Sequence, residues 1–333
     1  MFKFSKFLFF NSMIAGTLIS VTAYSWFSMW LGLEINLLSI TPLLNSTKNS
    51  FPSEAALKYF ITQSMASTVI MFAILSLLLS KDIFENKFSL ILNSAILTKM
   101  GAAPFHFWFP EIIEGLSWSN SLIILTWQKI APMILIFYFI DLTNFFIFVI
   151  IASSMIGSIL GLNQTNLRKI LAYSSINHIS WLLCSLLCSF SIWIIYFSIY
   201  FIILLALIYF LNKINAYQIS QLINLSFSNK IINFSIFLIF FSLGGLPPFL
   251  GFLPKWMVIN TLISNNLYLL SFLLIIFTLI TLFYYIRVTF TALILTWQNN
   301  FSIKINLNSL IMWMIFSFNF TGLFWCSLTF LNF

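Results

Sequence analysis

Charge is what this sequence has least of. Asp, Glu, Lys and Arg together make up 7% of its 333 residues, as 15 basic and 7 acidic side chains. A soluble domain carries roughly a quarter charged residues, so this composition excludes one. Hydrophobic residues reach 61% and the mean hydropathy is +1.04, the values of a chain that crosses a bilayer many times. Cysteine is also scarce. Cys184, Cys188 and Cys326 lie in apolar runs, and no His or acidic residue falls within a helical turn of the first two. They read as small apolar filler, not as a metal or disulfide site. No phosphate loop, dinucleotide fingerprint, paired-Cys cluster motif or haem ligand pair occurs, so the chain shows no means of redox chemistry or nucleotide hydrolysis of its own. The net charge of +8 does not point to nucleic acid, because the basic residues stand singly between apolar runs. In that position they orient membrane spans.

A helix needs about 20 apolar residues to cross a bilayer. On that rule the sequence predicts an all-α polytopic protein with spans at 4–22, 25–44, 56–79, 88–109, 119–140, 143–162, 168–188, 190–211, 232–263, 267–293 and 309–330. The N-terminal run has a basic start but no clear small-residue cleavage site, and it is expected to remain as the first span. Eleven spans put the two ends on opposite sides. Lys3, Lys6, Lys48, Lys58, Arg168, Lys169, Lys213, Lys230, Arg287 and Lys304 then fall on the N-terminal side, against Lys81 and Lys87 on the other. This bias predicts an N-terminus in the negative compartment. The abundance of Phe (41 residues), Ile and Asn fits an AT-rich, organellar gene.

Two of the spans are interrupted. FSLILNSAILTKMGAAPFHFWF and NFSIFLIFFSLGGLPPFLGFLPKWMVINTLI each carry a Gly/Pro break and a lysine. Proline removes a backbone donor and crowds the preceding turn. Irregular backbone at membrane depth survives only when buried in protein or lining a watery cavity. Pro104 and Pro247 are 143 residues apart in the fourth and ninth spans, so the broken helices run in opposite directions. The expected architecture is a single membrane domain of two inverted five-helix repeats, 1–140 and 143–293, with 309–330 as an additional helix. The same offset maps Glu34 onto Asn177, beside His178.

Four charged residues lie deep within spans: Glu34 in WLGLEINLL, Lys99 in TKMGAAP, Lys129 in WQKIAP and Lys255 in GFLPKW. A lysine at the bilayer centre costs at least roughly 2.5–3.5 kcal/mol and is functional by default. Low dielectric disfavours the charged form of carboxylate and ammonium alike, whereas a close Glu–Lys pair can hold both charges. Such a pair makes a switchable proton site; the alternative is a static ion pair that fixes helix packing. All three lysines sit near a proline, where freed carbonyls can hold water. The alternative for Lys255, closest to its break, is a direct bond to a freed carbonyl or snorkelling to the interface. His178, mid-span in SSINHISW, fits a proton relay, and His106 in PFHFW fits a relay or a hydrogen-bonded structural role equally. Ser153, Ser154, Ser174, Ser175 and Asn177 suit helix packing or water binding. Glu111, Glu114 and Asp141 lie at span ends, where they are expected to be solvated.

The segments WLGLEINLLSITPLL, EAALKYFITQSMAS, LTKMGAAPFHFWFPEIIEGLSW, LTWQKIAP, NLRKILAYSSINHISW and GGLPPFLGFLPKW, in this order, resemble the mitochondrially encoded antiporter-like membrane subunits of respiratory complex I, in an insect-like composition. The resemblance covers almost the whole chain. It implies an antiporter-like fold and a proton-translocation channel driven by NADH-to-ubiquinone electron transfer in other subunits. It makes Glu34 and Lys99 the Glu–Lys pair, Lys129 the bridging lysine, Lys255 the terminal lysine and His178 the histidine of the AYSSI-x-H segment. It implies that NADH, FMN, iron–sulfur clusters and ubiquinone belong to the rest of the complex, with none bound by this chain. The implied partners are other membrane-arm and accessory subunits, phospholipids, protons and water, with no nucleic acid. The implied location is the mitochondrial inner membrane, N-terminus in the matrix and C-terminus in the intermembrane space. Bacterial members have fourteen helices, so eleven resembles the animal form lacking about three at the N-terminus. Two other readings remain on the residues alone: an autonomous cation/proton antiporter, and a structural subunit whose buried charges specify packing.

Overall fold

Long runs of Leu, Ile and Phe have one stable form in lipid, a helix that satisfies its backbone internally. The structure, a computed structural model, describes residues 4–45, 50–79, 85–140, 142–225, 230–294 and 317, and among these it is helical throughout, apart from turns, bends and one antiparallel bridge between Asn166 and Gln218. The helices are α1 (Phe4–Thr22), α2 (Trp26–Leu44), α3 (Ser50–Leu79), α4 (Glu85–Met100), α5 (Trp108–Gly115), α6 (Trp118–Leu125), α7 (Trp127–Tyr138), α8 (Thr143–Ile159), α9 (Leu167–Cys188), α10 (Phe190–Ile214), α11 (Ile219–Leu225), α12 (Lys230–Gly244), α13 (Phe252–Ser264) and α14 (Tyr268–Ile294).

Among the described residues, 7 helices are long and apolar enough to cross a membrane, counting α6 and α7 as one interrupted span. The expected eleventh span, 309–330, lies outside the described residues apart from Ser317, as do Cys326 and Asp141. Two other spans differ from expectation. Helix α3 starts at Ser50 rather than 56, with Pro52 in its first turn, where no intrahelical donor is lost. The span expected at 119–140 breaks at Thr126, whose hydroxyl takes the carbonyl of Leu122 at 2.7 Å.

The chain divides into two compact units, residues 1–152 and 153 onward, with the division inside α8. In the first unit α1 packs on α2, α2 on α3, α3 on α4 and α5, and α4 on α7. In the second, α9 packs on α10, α12 on α10 and α14, and α13 on α9, α10 and α14. In each unit glycine makes close backbone-to-backbone contact possible. A Cβ on Gly16 would lie 2.8 Å from the backbone nitrogen of Asn36, and one on Gly157 would lie 2.7 Å from that of Asn177. This is the small-residue packing that brings membrane helices close.

The two expected breaks are real and alike. Residues 101–107 separate α4 from α5, and residues 245–251 separate α12 from α13. At the first, Gly101 (φ 75°) donates to the carbonyls of Leu97 and Thr98, and Ala102 donates to Leu97. At the second, Gly245 (φ 80°) donates to Phe241 and Ser242, and Leu246 donates to Phe241. These are the same helix-ending hydrogen bonds, and they require the left-handed conformation that glycine adopts without strain. Matching Gly101 to Gly245 pairs Pro104 with Pro248, an offset of 144 in place of 143. The glycine contacts of Gly16 and Gly157 fall on Asn36 and Asn177, positions 141 apart rather than 143.

Since even a methyl group at Gly157 meets backbone, Gly157→Ala is expected to destabilise the protein by about 1–3 kcal/mol through overpacking. The thermal melting midpoint of the detergent-solubilised protein checks this; an unchanged midpoint would mean that the close α8–α9 approach is not needed.

Candidate functional site

In the first unit the broken helix delivers Lys99. It occupies the last turn of α4, where a cation complements the helix dipole, and it is 7% exposed. The carbonyls left open at this helix end are met by neutral donors. Trp108 Nε1 donates to the Thr98 carbonyl at 3.1 Å, and Gln63 Nε2 of α3 donates to the Lys99 carbonyl at 3.4 Å. Lys99 Nζ is therefore not engaged in capping, and among the described residues it has no hydrogen bond or ion pair within the protein.

Beside it lies a small cavity with about 10 Å³ of free space, lined by Leu33, Asn36, Leu37, Tyr59, Gln63, Lys99, Gln128 and Pro132. The free space at its centre suits about one water molecule. Its polar wall is internally bonded: Gln128 Nε2 donates to Asn36 Oδ1 at 2.8 Å, and Tyr59 OH donates to Gln128 Oε1 at 3.4 Å. Asn36, Tyr59, Gln63 and Gln128 were not singled out from the sequence. Each is nonetheless visible there as an amide or hydroxyl in an apolar span, with Gln128 adjoining Lys129 and Tyr59 one turn from Gln63.

Glu34 is placed otherwise than a tight pair requires. It is half-buried on α2 with Oε1 buried and without a hydrogen-bond partner, and it makes no ion pair with Lys99. It still acts on Lys99 electrostatically across the gap. Lys129 follows the Thr126 break in α7, is 1% exposed, and holds its Nζ 5.6 Å from the centre of the Phe109 ring. His106 lies within the first break, 2% exposed, with Nδ1 3.3 Å from the Pro104 carbonyl and its ring against Phe107. That is the hydrogen-bonded structural arrangement. Glu111, at the other end of α5's first turn, is exposed and pairs with Lys58 at 3.0 Å.

In the second unit Lys255, in the first turn of α13 and 7% exposed, reaches back to the end of α12. Its Nζ donates to the carbonyls of Leu243 at 3.2 Å and Gly244 at 2.9 Å and lies 6.0 Å from the Trp181 ring centre. This is the direct bond to freed carbonyls. Charge supply explains it in part: the sequence has no acidic residue after Asp141, so the second unit offers no carboxylate. Gly245 leaves the room, since a Cβ there would sit 2.8 Å from Lys255 Cδ. His178, three residues before Trp181 on α9 and 6% exposed, shares a 3.0 Å hydrogen bond with the Tyr196 hydroxyl, and its ring centre lies 4.8 Å from that of Tyr200. Asn177 Nδ2 reaches Thr281 Oγ1 at 3.4 Å. Among the described residues no group of three or more His, Cys, Asp or Glu side chains gathers in a way that could hold a metal ion.

Both Lys255→Met and Gly245→Ala are expected to speed backbone hydrogen exchange across residues 245–251 by about tenfold or more, because local opening sets that rate. Lys255→Arg should preserve most of the protection. Unchanged exchange in Lys255→Met would show that the lysine does not hold this helix end.

A family model described as "NADH:quinone oxidoreductase/Mrp antiporter, TM" matches residues 23–281. The chain is 44% identical over 330 residues to NADH-ubiquinone oxidoreductase chain 2 of Anopheles gambiae, covering 96% of each. It is 44% identical over 310 residues to the chain of the same name from Locusta migratoria, covering 92% of this chain and 91% of that one. Among solved structures, a chain of respiratory complex I from Thermus thermophilus with bound aureothin matches with TM-score 0.84 at 19% identity, over 95% of this chain and 76% of its own length. A chain of the Mrp complex from Dietzia sp. DQ12-45-1b matches with TM-score 0.75 at 17% identity, over 83% of this chain and 58% of its own. Extended identity to chain 2 relatives, the matched family region and the shared fold with its broken helices agree: the chain belongs to the NADH-ubiquinone oxidoreductase chain 2 family, within the transmembrane proteins common to NADH:quinone oxidoreductases and Mrp antiporters.

Proposed function

We propose that this chain is an antiporter-like membrane-arm subunit of proton-translocating NADH:ubiquinone oxidoreductase, respiratory complex I, and that it moves protons through Glu34, Lys99, Lys129, His178 and Lys255. The observation that carries the reading is Lys99, a buried lysine at a helix break that has no bonded partner among the described residues and opens on a polar cavity. An ammonium held beside a water-sized space can exchange its proton.

Glu34 supplies the coupling. Coulomb interaction makes the protonation of Lys99 depend on the charge of Glu34, and a ligand or conformational event can shift that equilibrium only by acting differently on its two states. Electron transfer in other subunits would provide that event. In the proposed order Glu34 and Lys99 form the entry, and Lys129, buried past its own helix break, is the next station. His178 with Tyr196, and Lys255 at the second break, are the stations of the second unit.

We assign the membrane to the mitochondrial inner membrane, with the N-terminus in the matrix and the C-terminus in the intermembrane space. Ten basic residues against two, counted over the expected loops and the adjoining span ends, support that orientation. We also assign an inverted relation to repeats 1–140 and 143–293, with 309–330 as an added helix. The matching caps at Gly101 and Gly245 support it. NADH, FMN, iron–sulfur clusters and ubiquinone are assigned to other subunits, and the partners of this chain to the rest of the membrane arm and surrounding phospholipid.

Lys99→Met in the assembled complex is expected to lower NADH-driven proton uptake into inner-membrane vesicles by roughly tenfold or more, the scale on which a positioned proton-transfer group acts. Glu34→Gln should lower it less, by about two- to fivefold. Normal turnover with normal proton stoichiometry in correctly assembled Lys99→Met complex would overturn the reading.

A further inference from the structure

The carboxylate that acts on Lys99 is not what lines its cavity. On α2 the lining residues are Leu33, Asn36 and Leu37, spaced i, i+3, i+4 on one buried face. Glu34 is one residue past Leu33, about 100° around the helix, and lies off that face. What faces Lys99 is uncharged: the Asn36 amide, the Gln128 amide, the Tyr59 hydroxyl and the Gln63 amide.

Their bonding leaves capacity to spare. The Gln128 amide spends one hydrogen on Asn36 Oδ1 and accepts one from Tyr59 OH. That leaves a second Gln128 hydrogen, the Asn36 amide hydrogens and the remaining lone pairs as bonding capacity on residues that line the cavity. Lys99 Nζ brings up to three donors and has no bonded partner among the described residues. A buried water needs about two to four polar partners and at least roughly 10–15 Å³ of free space; here the polar partners line the cavity and the free space, about 10 Å³, is the lower limit for one water. An empty, apolar void would have neither.

Resting on the function proposed above, we propose that Asn36, Gln128 and Tyr59 form an uncharged positioning set that binds one water molecule, and that this water is the hydrogen-bond acceptor of Lys99 Nζ in the resting protein in place of Glu34. Gln128 is the centre of the set. It is the residue bonded on both sides, and it precedes Lys129 on α7, so the same helical turn carries the water's anchor and the next buried lysine. Lys99 thereby has a neutral local acceptor, while Glu34 sets the electrostatic bias from a distance. The two tasks are separated onto different residues of α2.

The test uses assembled complex in inner-membrane vesicles, with proton uptake per NADH oxidised measured across pH. Gln128→Met keeps the side-chain volume and removes every polar atom. It is expected to lower proton yield by about fivefold, the low end of coupling effects. It should also displace the pH optimum of pumping by roughly one unit, the scale of an altered lysine environment. Tyr59→Phe removes a single hydroxyl and should move both readouts in the same direction by a smaller amount. A role in packing alone would lower the quantity of complex without moving the pH profile. If Lys99→Met abolishes pumping while Gln128→Met and Tyr59→Phe leave yield and pH profile untouched, the water site is wrong and the function stands. If Lys99→Met itself has no effect, both fall. A second measurement needs no variant: an electron cryomicroscopy map of the wild-type complex sharp enough for waters. Density within hydrogen-bond distance of both Lys99 Nζ and the Gln128 amide is expected. A Glu34 carboxylate in direct contact with Lys99 over a collapsed cavity would overturn the proposal.

Discussion

A helix that stops inside a membrane leaves its last carbonyls without donors, and no water is at hand to supply them. Much of this protein's chemistry follows from how those carbonyls are met. Both broken helices use the same first device, a left-handed glycine whose N–H and whose neighbour's N–H turn back onto the final turn. The second device differs. At the end of α4 the next carbonyls are taken by Trp108 and Gln63. At the end of α12 they are taken by Lys255. A tryptophan and an amide in one unit thus leave a lysine at liberty, while the other unit spends its lysine on the cap.

The distribution of acidic residues runs parallel to this. All seven lie at or before Asp141, so any carboxylate control within a single unit belongs to the first. There Glu34 can bias a buried ammonium at a distance, and uncharged side chains can take the local hydrogen bonds. In the second unit a buried cation has only carbonyl oxygens, hydroxyls and ring faces to turn to. Lys255 uses the Leu243 and Gly244 carbonyls and the face of Trp181, and His178 uses the hydroxyl of Tyr196 and lies beside the ring of Tyr200. Lys99 stands in the last turn of α4, and Lys255, though carried by the first turn of α13, sets its Nζ on the last carbonyls of α12; a helix C-terminus favours positive charge.

Some of this was legible from residue order alone. The two breaks, the lysine in each, and the helical class could be read because each is a local event: Gly and Pro act on their own turn, and a charge in an apolar run is conspicuous whatever packs against it. The interruption at Thr126 was missed because TWQKIAP reads as continuous apolar helix, and the local signal, a threonine six residues before Pro132, is weak. The offset between the two halves was misjudged by one at the breaks, because two adjacent prolines at Pro247 and Pro248 offer two registers and only the glycine caps decide between them. Likewise the contacts of Gly16 with Asn36 and of Gly157 with Asn177 are visible only in the packed helices.

Composition and order by themselves determined that the chain is a many-span helical membrane protein, where its helices break, and which titratable groups are forced into oil, since these depend on single residues and their immediate neighbours. Only the tertiary structure decided what those groups touch. Asn36, Tyr59 and Gln128 come from three helices and are separated by up to 92 positions in sequence, and no local pattern marks them as one wall of a cavity. Which face of α2 turns toward Lys99, and therefore whether a carboxylate or an amide meets it, is fixed by the rotation of one packed helix against its neighbours. Such a rotation is a property of the whole interface and is written in no single segment.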